Sequence, residues 1–257
     1  MVRGLYTAYT GMANEQKRLD VISNNLANSA TVGYKEENVT NQSFKQMLAV
    51  KIRDGSNGYA DEPIGTMSLG VKIGETYMNW SQGSLRETDK TYDIAIEGKG
   101  FFKIKVMDKD GNEETMYTRN GQFTITADGH IVDCDGNYLQ GSGGDLQVPT
   151  DASDIAIKSD GSIYADGQLV DKIELADFED YNYLELYGEN MYRAVDGATP
   201  RASTATMLQG FTEQSNVNVV DEMVSMITIT RAYEAGQKMI RTQDELLGKA
   251  VNDVGRV

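Results

Sequence analysis

Both ends of this chain carry apolar residues at steps that alternate between four and three. At the N-terminus the positions are Leu5, Tyr9, Met12, Gln16, Leu19, Ser23 and Leu26. At the C-terminus they are Val219, Met223, Met226, Thr230, Tyr233, Gln237, Ile240, Asp244, Leu247, Val251 and Val254. A 4-3 alternation is a heptad seam, and it demands a helix with one sticky face. A single short seam is met by packing on a globular core. Two long seams of the same period, each broken by polar residues, predict two terminal helices paired as a coiled coil. The first helix is expected over residues 2–28, ending in Asn24–Asn28, because Asn tolerates left-handed backbone at helix ends. The second is expected to start at Ser215 or Asn216, both good caps, and to run nearly to the end.

The middle of the chain reads as β. Turn pairs recur at Asp110-Gly111, Asn120-Gly121, Asp128-Gly129, Asp135-Gly136, Asp160-Gly161 and Asp166-Gly167, the strongest short-range hairpin signal. Alternating runs lie between and around them: 92–96, 101–106, 114–118, 122–126, 130–134, 137–140, 154–158, 162–165 and 172–178. Residues 36–83 are less regular, with a loop expected at 55–65 and a strand pair at 69–80. Residues 188–205 read as an extended connection. The expected fold class is α+β, a discontinuous helical domain (1–35 plus 211–257), a connecting segment (36–83) and an antiparallel β domain (84–210) inserted between the helices.

Charge narrows the partners. Residues 84–200 carry 10 Lys/Arg and 24 Asp/Glu, while 1–60 and 201–257 are nearly neutral. An acidic middle repels phosphate backbones, so nucleic acid is not expected as a partner. Neutral ends suit packing against copies of themselves. No stretch has the roughly 20 apolar residues of a membrane helix, and the first residues lack the apolar core of a cleaved signal. The single cysteine, Cys134, forms no intrachain disulfide, and the single histidine, His130, reads as a strand residue. Residues 108–114 and 133–137 resemble calcium loops only superficially, since Gly stands fourth where an EF-hand needs it sixth. The glycines of 98–100 and 141–144 lack the spacing of a phosphate loop. No pair among the many carboxylates is set apart as a glycosidase pair. No catalytic residue, metal site or cofactor is expected.

Three segments resemble a known family. Thr10-Gly11-Met12, Leu19 to Asn28 (LDVISNNLAN) and Thr31-Val32-Gly33-Tyr34-Lys35 are similar to the N-terminal signature of bacterial flagellar axial proteins, the rod and hook family. Residues 215–247, with Ser-Asn-Val and Arg-Ala-Tyr-Glu, resemble its C-terminal helix. Residues 82–104 and 117–141 resemble the core domain of its proximal-type and distal rod subunits. The resemblance implies a structural subunit of the basal-body rod, polymerising into a helical tube that transmits torque from motor to hook. It further implies export through the flagellar type III apparatus without a cleaved signal. The implied partners are other copies, other rod and hook subunits, and the export apparatus, with no membrane insertion. The residues expected at subunit packing are Leu5, Tyr9, Met12, Leu19, Leu26, Val219, Met223, Met226, Tyr233, Ile240 and Leu247. Gly33 is expected at the turn after the first helix, with positive φ. The rival reading from the residues alone is a secreted β-rich adhesin held in a closed oligomer by its terminal coiled coil.

Overall fold

The computed structural model describes residues 2–51, 62–107, 113–152, 154–188 and 190–254. The chain divides into two compact units, one of Met1–Leu26, Glu37–Met78 and Asn218–Val257, the other of Ala27–Glu36 and Asn79–Val217. The fold is α+β, with terminal helices that touch each other and a large antiparallel region between them in the sequence.

In the first unit, α1 (Val2–Ala27) and α2 (Val219–Lys249) are the two long helices. Asn218 caps α2, its side chain accepting from the Val220 N–H, and Asp221 and Glu222 fill the first turn where the helix dipole favours anions. Lys249 in the last turn completes the match. The cap lies beyond the expected Ser215 or Asn216. The Ser215 hydroxyl accepts from the Val217 N–H instead, and the Asn216 side chain bridges the Glu36 N–H and the Asn79 carbonyl. The rest of this unit is a long antiparallel ribbon. Strand β1 (Glu37–Ser43) pairs with β4 (Val71–Met78), and β2 (Met47–Lys51) pairs with β3 (Glu62–Met67). The expected strand pair at 69–80 is thus one strand whose partner is polar β1. The first part of the expected loop at 55–65 lies outside the described residues, and Glu62–Gly65 belongs to β3.

The second unit is antiparallel throughout. Its main sheet is centred on β7 (Phe101–Met107) and β8 (Glu113–Thr118), in register from Phe102↔Thr118 to Met107↔Glu113, with β5 (Leu85–Glu87) and β6 (Ile94–Glu97) in separate two-stranded pairs. Period-two alternation sends Phe102 and Ile104 into a core with Ile94, Met116, Ile131 and Leu139. The opposite face of β7 presents Phe101 to an aromatic group, where Trp80 lies 5.5 Å from Phe101 and 5.0 Å from Tyr192 between ring centres. Residues 188–205 are more ordered than expected. Met191–Ala194 joins the sheet beside β8, and Pro200–Ala202 pairs with Leu175–Phe178.

Four expected turn glycines take left-handed φ, at Gly129, Gly136, Gly161 and Gly167. Gly121 does not. A Cβ there would sit 1.7 Å from the Ile94 carbonyl oxygen, so this glycine permits a close backbone approach rather than a hairpin turn. Asp110-Gly111 lies outside the described residues. The division into units also differs from the expected boundaries. Residues 27–36 and 211–217 fold with the β unit, and 37–78 with the helices.

Candidate functional site

The helices meet along small residues. A Cβ on Gly236 would lie 3.5 Å from Met12 Cβ, and one on Gly4 would meet the Gln243 side chain. The groove between them is lined by Gly4, Ala8, Gly11 and Glu15 of α1 and by Ala232, Gly236, Met239 and Gln243 of α2. Thr7, Met12 and Ala235 also line it. On α2 the groove residues Ala232, Ala235 and Met239 are exposed, whereas Met226, Tyr233, Ile240 and Leu247 of the seam read from the sequence are half-buried.

The expected packing residues fall accordingly. Met12 lies in the groove. Leu5, Leu19, Leu26, Val219, Met226, Tyr233, Ile240 and Leu247 are half-buried. Tyr9 is 58% exposed and Met223 is 49% exposed, so neither is covered within the chain. The deeply buried helix positions are others: Asn14, Asn25, Glu222 and Ile229.

Asn25 shows why polar residues are buried here. Its side-chain oxygen accepts from the Glu37 N–H at 3.0 Å, and its Nδ2 donates to the Glu37 carbonyl at 2.9 Å. The same Nδ2 donates to Glu222 Oε1 at 3.3 Å. One amide therefore ties the end of α1, the start of β1 and the first turn of α2. Asn14 Nδ2 likewise donates to Asn41 Oδ1 at 3.1 Å, tying α1 to β1.

The β unit holds a buried ionic cluster at its two chain ends. Lys35 Nζ lies 2.6 Å from Glu213 Oε1, and Arg119 Nη1 lies 3.1 Å from Glu213 Oε2. Lys35 also donates to the Ser81 carbonyl at 2.8 Å, the Gly83 N–H to Glu213 Oε1 at 2.9 Å, and Arg119 Nη2 to the Gly98 carbonyl at 2.7 Å. All three charged residues are buried. Burial pulls the Lys35 ammonium below its ordinary range, and Glu213 pulls the other way. Gly33, at φ +73°, donates its N–H to the Glu213 carbonyl at 2.8 Å. The post-helix turn and the strand before α2 are thus joined in one network. Lys35 stood in a recognised motif, but nothing in its spacing pointed to Glu213.

The turn 133–137 carries the chain's cysteine. Asp133 Oδ1 accepts from the Cys134 N–H, and the Gly136 N–H donates to the Asp133 carbonyl, which is a turn closing on itself. Burial and the Asp133 charge push the Cys134 thiol up to about 11. The raised pKa disfavours the thiolate, the nucleophilic form, near pH 7. His130 bridges to Gln147 beside the sheet and stacks edge-on against Tyr138 at 5.3 Å.

Three family models match the chain: "Flagella basal body rod protein" at residues 5–35, "Flagellar hook protein FlgE/F/G D1 domain" at 95–165, and "Flagellar basal body rod FlgEFG protein C-terminal" at 208–253. The flagellar basal-body rod protein FlgG of Bacillus subtilis is 36% identical over 272 residues, covering 98% of this chain and 99% of the relative. FlgG of Caulobacter vibrioides is 38% identical, covering 96% and 97%. FlgF of the same organism is 32% identical, covering 100% of each.

Proposed function

The chain belongs to the flagellar basal-body rod protein family and is a non-enzymatic structural subunit of the rod, and from that premise we propose that it polymerises through its terminal helices into a helical tube that carries torque toward the hook. Copies of itself are the first partners, other rod and hook subunits the next, and the flagellar export apparatus the route of delivery. The observation that carries this reading is the apolar surface left bare on the helices, including Tyr6 and Tyr9 on α1 and Val220, Met223, Val224 and Ile227 on α2. Bare apolar faces of this kind mark interaction sites. The half-buried seam residues beside them are the ones a neighbouring copy would finish covering.

Ordering each helical residue costs roughly 1–2 kcal/mol of backbone entropy. A helix pair covered on one side recovers little beyond that, so helix ordering is coupled to assembly. Hydrogen exchange on the full chain tests this. Amides of residues 2–27 and 219–249 are expected to exchange fast in dilute protein and slowly in filaments. Protection already complete in the dilute monomer would refute the coupling. Electron microscopy of concentrated protein tests the polymer itself, and a closed small oligomer would favour the adhesin reading instead. Met226→Lys places an ammonium among half-buried seam residues, where burial without a partner costs several kcal/mol, on the order of 2–5. The expected result is loss of filaments with unchanged melting of the β unit, followed by Trp80 fluorescence. Normal filaments from this variant would rule out residue 226 as an assembly contact.

A further inference from the structure

The buried ionic cluster of the β unit carries an excess positive charge. Lys35, Arg119 and Glu213 are 1%, 6% and 1% exposed, and they set two cations against one carboxylate. Both oxygens of Glu213 are already engaged. Oε1 accepts from Lys35 Nζ and the Gly83 N–H, and Oε2 accepts from Arg119 Nη1. The other bonds of the two cations go to the carbonyls of Ser81 and Gly98, which carry no charge. Tyr181, packed on the Phe101 ring, leads to Asp177, but Arg201 already matches that carboxylate at 2.7 and 2.9 Å. A buried charge with no counter-charge is strongly disfavoured.

Two hydrogen-bond donors stand unused beside this excess charge. Arg119 Nε and the Tyr192 hydroxyl are both buried, and neither has a partner. Tyr192 is 0% exposed. Both residues pack on one ring. The Arg119 guanidinium carbon lies 5.3 Å from the centre of Phe101, and the Tyr192 ring centre lies 5.7 Å from it. Burial raises the pKa of the Tyr192 hydroxyl, so it keeps its proton and donates, and the Arg119 charge acts on it from nearby. A buried donor without a protein acceptor calls for water or an ion. Water would take the hydrogen bonds and leave the charge, whereas an anion answers both.

We propose that the β unit binds one small monovalent anion of the halide class, chloride, between Arg119 Nε–H and Tyr192 O–H. One negative charge brings the cluster to neutrality. A dianion such as sulfate would overshoot it, and would need more donors than the two that are free. The ion's role is structural. It lets both cations stay charged beside Glu213, and through them it holds the strand Phe211–Glu213 against Lys35 and Arg119. The site lies within one unit and is independent of how copies assemble.

Melting of the dilute full chain, followed by Trp80 fluorescence, tests this in sodium chloride against sodium gluconate at equal ionic strength. Gluconate is too bulky for a buried site with two donors. Three chains are compared: the natural one, Tyr192→Phe, which deletes one donor, and Lys35→Met, which removes the excess charge. Comparing the salt difference between chains cancels the general action of each salt on protein surfaces. The expected salt difference is about 4 °C or more in favour of chloride for the natural chain relative to either variant, growing with chloride concentration as single-ion binding requires. Tyr192→Phe is expected to match the natural chain in gluconate and to melt below it in chloride. A hydroxyl without a ligand would make that substitution neutral in both salts. The same salt difference in all three chains would overturn the proposal. So would a full chloride effect kept by Tyr192→Phe, which places the ion elsewhere, or by Lys35→Met, which shows that the excess charge does not recruit it.

Discussion

Glu213→Gln is expected to lower the melting temperature of the β unit by about 6–20 °C. Glu213 is the one anion of a buried cluster with Lys35 and Arg119. With the charge gone, two buried cations face each other, and the Gly83 N–H loses an ionised acceptor. Breaking a buried ion pair from one side costs about 3–5 kcal/mol. For a folding unit of this size each kcal/mol moves the midpoint by about 2–4 °C. Lys35→Met is expected to cost less. It removes one of the two cations and leaves Arg119 and Glu213 as a neutral pair, so the loss is that of the bonds to Glu213 Oε1 and the Ser81 carbonyl, about 1–3 kcal/mol. Trp80, packed on Phe101, Tyr181 and Tyr192, reports the melt. A Lys35→Met variant less stable than Glu213→Gln would show that Glu213 is not the charge the cluster depends on.

The same cluster has a pH signature. The folded Lys35 pKa lies below 10.5, its ordinary value. Between the folded and the unfolded pKa the unfolded chain binds more protons, so stability rises with pH through that window. In Glu213→Gln the attraction that holds the Lys35 pKa up is removed, and the window widens downward. The variant's deficit relative to the natural chain is therefore expected to shrink as pH rises toward 10.5. A deficit that grows with pH would contradict the arrangement of charges described here.

What the sequence revealed depended on whether packing left a local trace. The strand Phe101–Met107 was legible because Phe102, Ile104 and Val106 face the core and alternate in sequence with Lys103 and Lys105. The helices were legible by period, because large apolar residues recur along both. Gly4, Ala8 and Gly236, which line the groove between them, carry little hydropathy and left no such trace. Strand β4 was legible as strand, but its partner β1 left almost no trace. β1 reads ENVTNQS, polar on both faces, and its register slips between Val39 and Asn41. The buried polar contacts were invisible for another reason. Lys35 and Glu213 lie 178 residues apart, and Asn25 and Glu222 lie 197 apart. Such pairs satisfy each other only after the fold has formed, and a charged residue in a motif looks the same whether its partner is water or a buried carboxylate.

Gly33→Val is expected to disable the β unit more severely than Val32→Ala, by at least about 3 kcal/mol in stability. Two independent terms combine. At φ +73° the left-handed backbone costs a residue with a Cβ about 1–2 kcal/mol, and a β-branched one more. A Cβ at residue 33 would also stand 2.5 Å from the carbonyl carbon of Arg119 and 2.5 Å from the nitrogen of Asn120. Those atoms are backbone and have no rotamer to turn aside. The peptide between Arg119 and Asn120 would have to move, and Arg119 would move with it. That motion opens the Arg119–Glu213 contact, while displacement of Gly33 itself weakens its bond to the Glu213 carbonyl. Val32→Ala removes two methyl groups from a buried site and leaves this geometry untouched, costing about 1–2 kcal/mol. Because the glycine and the ionic cluster share one set of contacts, their effects are not additive. A Gly33→Ala, Glu213→Gln double variant is expected to lose less stability than the two single losses combined, by about 0.5–3 kcal/mol. Full additivity in that cycle would mean that Gly33 acts only through its own backbone conformation, independently of the Lys35–Glu213–Arg119 cluster.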